Sequence, residues 1–484
     1  MLKASLAFVV VAFFAAFFLD CEITILDPWA ELGRMVKGAL IPSFKRVFEV
    51  WPSVFTTISL ALLGTTCGAF FGGILAFFYR YQAVRFLCIA IRSIHVVFWA
   101  ILLLPFLGLT PLCGIIAITI QFSGIFAKVY SEIEEESDKL PRDGVPKEAS
   151  RIDRFFYSIY PIISSSVKYY SRYRFECALR SSAVLGFIGI PTIGFYLETM
   201  FREGVYSEAA GIMILFYLLV ASLKYWVRPA VVVPGIIAAF CFVDLTTLDI
   251  INLKSTLTEF VPWPLRNGSD VMGWVSEIWE MASRGITNTV LLTQVALVLT
   301  GILTLCVVPF SSKNISSKFV CGITNIFLII LRTTPEYIIA YVFLLLLGPS
   351  MLPIIIALTI HNTAIIAFLM AGQSNQIEKS LDAPKRNIDF YGFFVLPQIY
   401  GQFLAYLFYR WEVMVRESAL LGLLGVYTIG FFIDSAIEND HMDVTLVLIL
   451  SSGLITMFID FVSQGVRRYL RISGARTCGE LWVG

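Results

Sequence analysis

The chain has 484 residues, of which 58% are hydrophobic and 15% are charged, and its mean hydropathy is +0.80. Ordinary soluble domains carry about 25% charged residues, so the composition excludes a typical soluble protein and indicates an integral membrane protein. The formal net charge of +1 gives no electrostatic signal for binding nucleic acid. We therefore expect the lipid bilayer, and no nucleic acid, among the partners of this chain.

Sites for metals and cofactors are not indicated either. The nine cysteines are scattered singly, without a CxxC motif or a Cys/His cluster, which predicts neither a metal site nor a disulfide framework. His95, His361 and His441 are far apart in sequence, and we expect them to pack or to hydrogen-bond between helices. No phosphate-binding loop of the GxxxxGK(S/T) type occurs, so ATP hydrolysis, if it drives this protein, is expected in a partner.

Apolar stretches that approach the roughly 20 residues needed to cross a bilayer recur along the chain. The first half carries them near 4–19, 54–79, 86–107, 110–130, 180–200 and 209–227. The second half carries them near 229–246, 287–310, 319–347, 350–372, 415–434 and 443–463, and 319–347 is long enough to tilt or break. The first stretch lacks a small-x-small cleavage site, so we interpret it as a membrane span. The predicted fold is an all-α membrane protein with about twelve transmembrane helices.

Basic residues in the connecting loops predict that both termini are cytoplasmic. The long basic loops on that side are Lys139 to Arg174 and Lys379 to Arg410, whereas 20–51 and 247–286 form the long outer segments. Six spans in each half predict two parallel repeats related by an axis along the membrane normal. The predicted domains are a first span with an external segment (1–51), repeat 1 (52–228), a linking span with an external segment (229–287), repeat 2 (288–472) and a cytoplasmic tail (473–484).

One stretch occurs in both halves. Residues 173–195 read YRFECALRSSAVLGFIGIPTIGF and residues 409–431 read YRWEVMVRESALLGLLGVYTIGF, a constant shift of 236 positions. Self-similarity at a fixed shift indicates a repeated structural unit. The glycines of both copies predict close helix packing, because small residues let membrane helices approach. They are Gly186, Gly189, Gly194, Gly422, Gly425 and Gly430.

Each copy also contains a Glu four positions before an Arg, which is the favourable order for an ion pair on a helix. The pairs are Glu176 with Arg180 and Glu412 with Arg416. This pattern fits either a structural ion pair at the inner membrane boundary or a gate in which the ion pair breaks and re-forms.

A polar loop that ends in a proline precedes each copy: KEASRIDRFFYSIYP ends at Pro161 and APKRNIDFYGFFVLP ends at Pro397. With the YRFE and YRWE blocks and LRTTPEYIIAYVFLLLLG in the second half, the chain resembles the permease subunits of ABC importers. The resemblance is closest to the phosphonate/phosphite type, with two copies fused in tandem. It implies a type I importer fold in the bacterial inner membrane, an ATP-binding cassette ATPase dimer, a periplasmic substrate-binding protein, and a transport subunit that is not itself an enzyme.

The same resemblance makes the loops 132–165 and 374–400 the candidates for coupling to the ATPase. A short amphipathic helix from Ser150 to Tyr157 would present aromatic side chains to a groove on the partner, and the alternative is a solvated loop anchored at the lipid surface. Glu148 and Pro384 stand where the family carries a glycine thirteen residues before the proline. The residues assigned to coupling are Glu148, Ser150, Arg151, Asp153, Pro161, Pro384, Arg386, Asp389 and Pro397.

Two arginines lie inside predicted spans, and a shift of 240 positions aligns Arg92 with Arg332. Charge inside the membrane is expensive and is by default a functional hypothesis, and the guanidinium suits phosphate-like groups. We expect these arginines, with Glu336, to line a substrate path for a small oxyanion. The alternative is that each arginine reaches the headgroups from the end of a span. Glu336 aligns with Val96, so the repeats differ there.

Other functional classes remain open from the residues alone. A secondary transporter with two parallel six-span halves is the alternative, although its longest cytoplasmic link typically joins the halves, which here meet near Tyr225 to Pro229. A membrane-embedded enzyme has no support from a paired acid/base, Ser/His or metal constellation in the predicted spans.

Overall fold

The structure is a computed structural model that describes residues 1–137, 150, 153, 155–243, 257–268, 270–377 and 387–470. These residues form helices and turns, and no strand occurs among them. The fold divides into two compact units. The first unit is Gly38–Leu253, and the second unit combines Met1–Lys37 with Lys254–Gly484.

The helices up to residue 242 are α1 (Leu2–Ala16), α2 (Pro28–Leu40), α3 (Val47–Phe77), α4 (Gln82–Ser93), α5 (Val96–Leu107), α6 (Pro111–Glu136), α7 (Tyr160–Val184), α8 (Ile193–Arg202), α9 (Tyr206–Trp226) and α10 (Pro229–Phe242). The later helices are α11 (Trp263–Asn267), α12 (Val271–Ser311), α13 (Lys318–Thr333), α14 (Glu336–Leu347), α15 (Met351–Ser374), α16 (Leu396–Leu421), α17 (Ile429–Glu438) and α18 (Met442–Tyr469).

The core of the first unit is the contact between α3 and α6. Three glycines at four-residue spacing face this contact on α3, namely Gly64, Gly68 and Gly72. A Cβ at Gly72 would lie 2.5 Å from the Phe126 Cβ and 2.8 Å from the Ser123 carbonyl oxygen. Small residues on one face therefore let the two helices approach more closely than larger side chains would permit.

The second unit contains the first helix of the chain. Helix α1 packs against α12, and the Phe8 ring lies 5.0 Å from the Phe408 ring and 5.6 Å from the Trp411 ring. Ser5 also hydrogen-bonds Tyr400 at 2.8 Å. In the first unit, α10 packs against α3. Each unit thus contains an apolar helix that chain order places before the other repeat.

Helices that could cross a membrane occur in both units. Among the described residues, six helices are long and apolar enough by themselves, and four bent helix pairs pass the same criterion together. The remaining apolar helices, α1 and α10, have 15 and 14 residues. The helical, multi-span class predicted from the sequence is therefore confirmed.

Several predicted boundaries were wrong. The predicted span 86–107 is two helices bent by 89°, whereas 319–347, which was predicted to tilt or break, does break into two helices bent by 94°. The predicted spans 180–200 and 415–434 each straddle a break, because α7 and α16 begin earlier, at Tyr160 and Leu396. Helix α7 starts with YPIISSSVKYYSRYR, whose polar side chains led hydropathy to assign it to a cytoplasmic loop.

Two adjacent glycines on α3 test the packing of the first unit. Gly72→Ala should lower the melting temperature in detergent, because the new methyl group would overlap Phe126 and Ser123 and overpacking costs about 1–3 kcal/mol. Gly73→Ala is the matched control, since nothing lies within 4 Å of its Cβ position. That substitution should be neutral or stabilising, because Ala favours a helix over Gly by about 1 kcal/mol. Equal melting temperatures for the two variants would contradict this account of the contact.

Candidate functional site

The first unit contains a sharp helix break lined by polar side chains. Helices α4 and α5 meet at 89°, and Arg92 is the penultimate residue of α4 with 9% of its surface exposed. His95 caps α5, its Nδ1 accepting a backbone N–H at 3.2 Å. From α6, the Gln121 side-chain amide donates to the Ile94 carbonyl at 2.8 Å. The break thus places an imidazole and an amide at one bend, next to the end of the helix that carries Arg92.

The second unit contains the equivalent break between α13 and α14, bent by 94°. The guanidinium carbon of Arg332 lies 4.3 Å from the centre of the Phe368 ring, in cation–π geometry. Glu336 is the first residue of α14, and its Oε2 lies 3.6 Å from Nε2 of His361 on α15. The other ring nitrogen of His361 lies 3.3 Å from the Leu331 carbonyl oxygen.

The two breaks share their geometry and differ in their chemistry. Arg92 and Arg332 occupy the same position at the end of the first helix in each pair. His361 occupies the position of Gln121, and both contact carbonyls of the broken helix. Both arginines and Glu336 were predicted from the sequence, whereas the contact of His361 with Glu336 was not. Among the described residues, no group of His, Cys, Asp and Glu is arranged to hold a metal ion.

The charged block of the repeated stretch lies on α7 and α16. Arg180 is half-buried and its Nη2 lies 3.5 Å from the Cys177 sulfur, while Glu412 is buried and Arg416 is half-buried. Glu176 is half-buried. The i,i+4 ion pairs of Glu176 with Arg180 and of Glu412 with Arg416 remain predictions.

A neighbouring arginine of the same block makes defined contacts in both repeats. In the second unit, Arg410 Nε donates to Asn362 Oδ1 at 2.6 Å, and Arg410 Nη2 lies 3.3 Å from Glu417 Oε1. In the first unit, the equivalent Arg174 Nε donates to the Tyr170 hydroxyl at 2.7 Å. Its guanidinium also lies 5.8 Å from the Phe122 ring, at the position that aligns with Asn362. The role of this arginine was not predicted from the sequence, although the YR dipeptide occurs in both copies of the repeated stretch.

The repeated glycines surround the turn that follows the charged block. Gly189 and Gly425 have φ angles of +97° and +85°, which side chains with a Cβ rarely adopt. A Cβ at Gly194 would lie 1.8 Å from the Ala183 carbonyl oxygen, and one at Gly430 would lie 1.7 Å from that of Ala419. The remaining pair, Gly186 and Gly422, would place a Cβ within 2.5 Å of Thr192 and Thr428 Oγ1 respectively. The turn therefore depends on the absence of side chains at these positions.

The predicted coupling segments end in a π-helical turn in each repeat. The turns are Phe155–Ile159 and Phe390–Val395, and Pro161 and Pro397 follow in the first turns of α7 and α16, where a missing N–H is tolerated. Ser150 Oγ hydrogen-bonds Asp153 Oδ2 at 2.6 Å, and Asp389 ends the short helix Asn387–Asp389. Glu148, Arg151, Pro384 and Arg386 lie outside the described residues.

At equivalent positions in the two π-helical turns, one aromatic residue packs against the protein and the residue two positions later is largely exposed. Phe155 packs on Phe77 with ring centres 4.5 Å apart, and the equivalent Tyr391 donates its hydroxyl to the Leu305 carbonyl at 2.9 Å. Two positions later, Tyr157 and Phe393 are both 81% exposed. The repeats thus present one aromatic side chain each at the same place. Their exposure makes them candidates for contact with a partner or with lipid.

Comparison with known proteins gives homologues of a single kind. The chain is 24% identical over 462 residues to the phosphate-import permease protein PhnE of Mycolicibacterium smegmatis, covering 86% of this chain and 84% of the relative. It is 24% identical to the phosphite transport system permease protein PtxC of Stutzerimonas stutzeri, where 50% of this chain covers 88% of the relative. It is 28% identical to the putative cryptic phosphonate transport system permease protein PhnE2 of Escherichia coli, across 23% of this chain and 91% of the relative.

The chain is a homologue of transport-system permeases. Half of this chain matches 88% of PtxC, whereas 86% of this chain matches PhnE of M. smegmatis. No protein-family model matches the chain. No solved structure matches it either.

The contacts of Arg410 give a testable stability difference. Glu417→Ala should lower the melting temperature of the purified protein, because it leaves a largely buried guanidinium without one of its partners, at a cost of about 1–3 kcal/mol. Glu280→Ala is the control, since its ion pair with Arg284 is exposed and 4.0 Å long and such pairs contribute about 0–1 kcal/mol. A melting temperature as high for Glu417→Ala as for the control would contradict a stabilising role for this ion pair.

Proposed function

We propose that the chain is the membrane permease of an ATP-driven importer for a small phosphorus oxyanion, with phosphonate and phosphite as the candidate substrates. The carrying observation is the match to PhnE of M. smegmatis, a phosphate-import permease, over nearly the full length of both chains. Matches to permeases of phosphite and phosphonate systems support the same substrate class. The chain itself carries no phosphate-binding loop, so a separate ATPase dimer supplies the energy.

One chain supplies both halves of the transporter in this proposal. The two compact units and the half-chain match to PtxC support two permease repeats in tandem, over residues 52–228 and 288–472. If each bent pair is one span, the six long helices, the four pairs and the two short helices α1 and α10 would give the twelve membrane segments proposed for a type I fold. The basic loops favour cytoplasmic termini in a bacterial inner membrane. A periplasmic binding protein then delivers substrate to the opposite face.

The helix breaks are the proposed contacts with substrate within each repeat. Breaking a span frees backbone groups at membrane depth, which is tolerated where they face protein or a water-filled path. Arg92 and Arg332 stand at these breaks, and an arginine can bind an oxyanion through two parallel hydrogen bonds. The membrane-facing alternative, in which each arginine reaches the headgroups, has less support for Arg92 because its side chain is buried.

Substitution of the two arginines tests this assignment. Arg92→Ala and Arg332→Ala should each reduce uptake of methylphosphonate or phosphite in cells by at least about tenfold, the range for losing hydrogen bonds to a charged group. Arg202→Ala is the control, because its guanidinium is largely exposed and pairs with Glu198 on the same helix. Expression and gel-filtration profiles must match those of the wild type. Unchanged uptake in both variants would exclude these arginines from the path.

Coupling is assigned to the two π-helical turns. We expect Tyr157 and Phe393 to insert into grooves on the ATPase, in the helix-in-groove mode of recognition. Their equivalent exposure in the two repeats supports one contact with each subunit of an ATPase dimer. The solvated or lipid-anchored loop remains the competing explanation, and it requires no ATPase contact.

Purification from gently solubilised membranes tests the coupling proposal directly. Wild-type chain should retain two ATPase subunits, and the double variant Tyr157→Ala/Phe393→Ala should lose them, because each truncated aromatic anchor costs more than about 2 kcal/mol at a hot spot. Tyr469→Ala is the matched control, an equally exposed aromatic residue at the end of α18. Full retention of the ATPase by the double variant would contradict these turns as the contact.

The energy source of uptake distinguishes a secondary transporter from the proposed ATP-driven importer. Uptake that stops on ATP depletion and survives a protonophore supports the ATP-driven importer. Uptake that stops with a protonophore, in a preparation without a co-purifying ATPase, supports an ion-coupled transporter.

A further inference from the structure

The two helix breaks differ by one carboxylate. Glu336 opens α14 in the second unit, and Val96, which is fully buried, opens α5 in the first. The bends are 94° and 89°. Because the break forms to the same angle with a valine at this position, the carboxylate is not needed to make it.

A carboxylate at this depth also carries a cost. Acidic residues inside membrane spans are rare and mark ligand pathways or proton relays. The N-terminus of α14 offsets part of that cost, because the helix dipole favours negative charge there. Glu336 nevertheless keeps 14% of its side chain exposed while its neighbour His361 keeps 2%. The carboxylate is therefore the more accessible member of the pair.

Glu336 lies close to a second charged residue in sequence and to an imidazole in space. Arg332 precedes it by four positions across the bend, with its guanidinium over the Phe368 ring, and Nε2 of His361 lies 3.6 Å from the carboxylate. A guanidinium donates hydrogen bonds to an oxyanion, whereas an ionised carboxylate only accepts them. A fully deprotonated ligand that reached from Arg332 to Glu336 would be repelled by the carboxylate. A ligand that keeps one hydroxyl group would donate to it.

Phosphorus oxyanions meet this requirement, since a phosphate-type group loses its last proton at a pKa of about 6 and is partly monoprotonated near neutral pH. We infer that Glu336 is a specificity-determining residue that accepts a hydrogen bond from the remaining hydroxyl of a monoprotonated phosphorus oxyanion. The inference rests on the proposed function, because it concerns the substrate of that same path. It selects against anions of equal charge and similar size that lack a hydroxyl group.

Two probe anions isolate the hydroxyl group. Monoprotonated methylphosphonate carries one negative charge and one hydroxyl group. Dimethylphosphinate and methanesulfonate also carry one negative charge, but they have no hydroxyl group. Binding to the purified transporter complex in lipid nanodiscs is measured with labelled methylphosphonate and competition by each of the other anions, without the binding protein, so that its own selectivity does not enter. Wild-type complex should prefer methylphosphonate by at least about tenfold, since a site built for a hydroxyl rejects analogues that lack it.

Substitutions at one position complete the test. Glu336→Val installs the residue of the first repeat, and Glu336→Met replaces the side chain with an apolar one of similar length in case the valine variant does not fold. Either should reduce the preference by about tenfold to a hundredfold, the range for one hydrogen bond to a charged group. Glu280→Gln, which changes an exposed carboxylate, should leave the preference unchanged.

The possible outcomes distinguish a failure of this inference from a failure of the proposed function. A wild-type preference that survives in folded Glu336→Val or Glu336→Met overturns the role of Glu336 and leaves the importer proposal standing. Equal affinity of the wild type for all three anions also overturns this inference alone. A wild-type complex that neither binds nor transports any phosphorus oxyanion overturns the proposed function, and this inference falls with it.

Discussion

Backbone hydrogen bonding within an apolar bilayer is the constraint on which the rest of this structure depends. A helix that breaks at membrane depth frees carbonyl and N–H groups that lipid cannot satisfy. Here side chains of neighbouring helices supply the partners. Gln121 donates to the Ile94 carbonyl, and His361 contacts that of Leu331. Thr57 and Thr289 accept the backbone N–H of Ile193 and Ile429, at the start of α8 and α17. Polar side chains of neighbouring helices thus satisfy backbone groups at the breaks and at the starts of α8 and α17.

The duplicated framework leaves each repeat free to change its chemistry at matching positions. The Gly64, Gly68 and Gly72 face of α3 corresponds to Ala296, Thr300 and Thr304 on α12, by the same shift of 232 that relates Thr57 to Thr289. Arg174 contacts aromatic rings, while Arg410 contacts an amide and a carboxylate. The first unit is therefore more apolar and aromatic at these positions, and the second unit more polar. The turn around Gly189 and Gly425 is shared, because its close backbone contacts leave no room for variation.

The sequence predicted most of the membrane segments and the possible break in 319–347, but it missed the break in 86–107 and those that follow α7 and α16. Apolar runs of about 20 residues locate spans well, but hydropathy averaged over 86–107 contains no signal for an 89° bend at Ile94. Polar residues on α7 hid a helix for the opposite reason, since they lower the hydropathy of a segment that packs against protein. The arginines of the site were found because charge inside a span is conspicuous. The contact of Glu336 with His361 was not predicted, because the two residues are 25 positions apart and belong to different helices.

Fusion of the two repeats bears on how a transporter acquires an unequal site. In a homodimer of single-copy permeases, each side chain occurs twice, so a carboxylate at the helix break would bring two negative charges to one transporter. A fused chain changes one copy alone, and here Glu336 is matched by Val96. The carboxylate at the break of the second unit therefore has no counterpart in the first, where Val96 is fully buried. At these positions the second unit carries an arginine and a carboxylate, whereas the first unit carries an arginine and a valine.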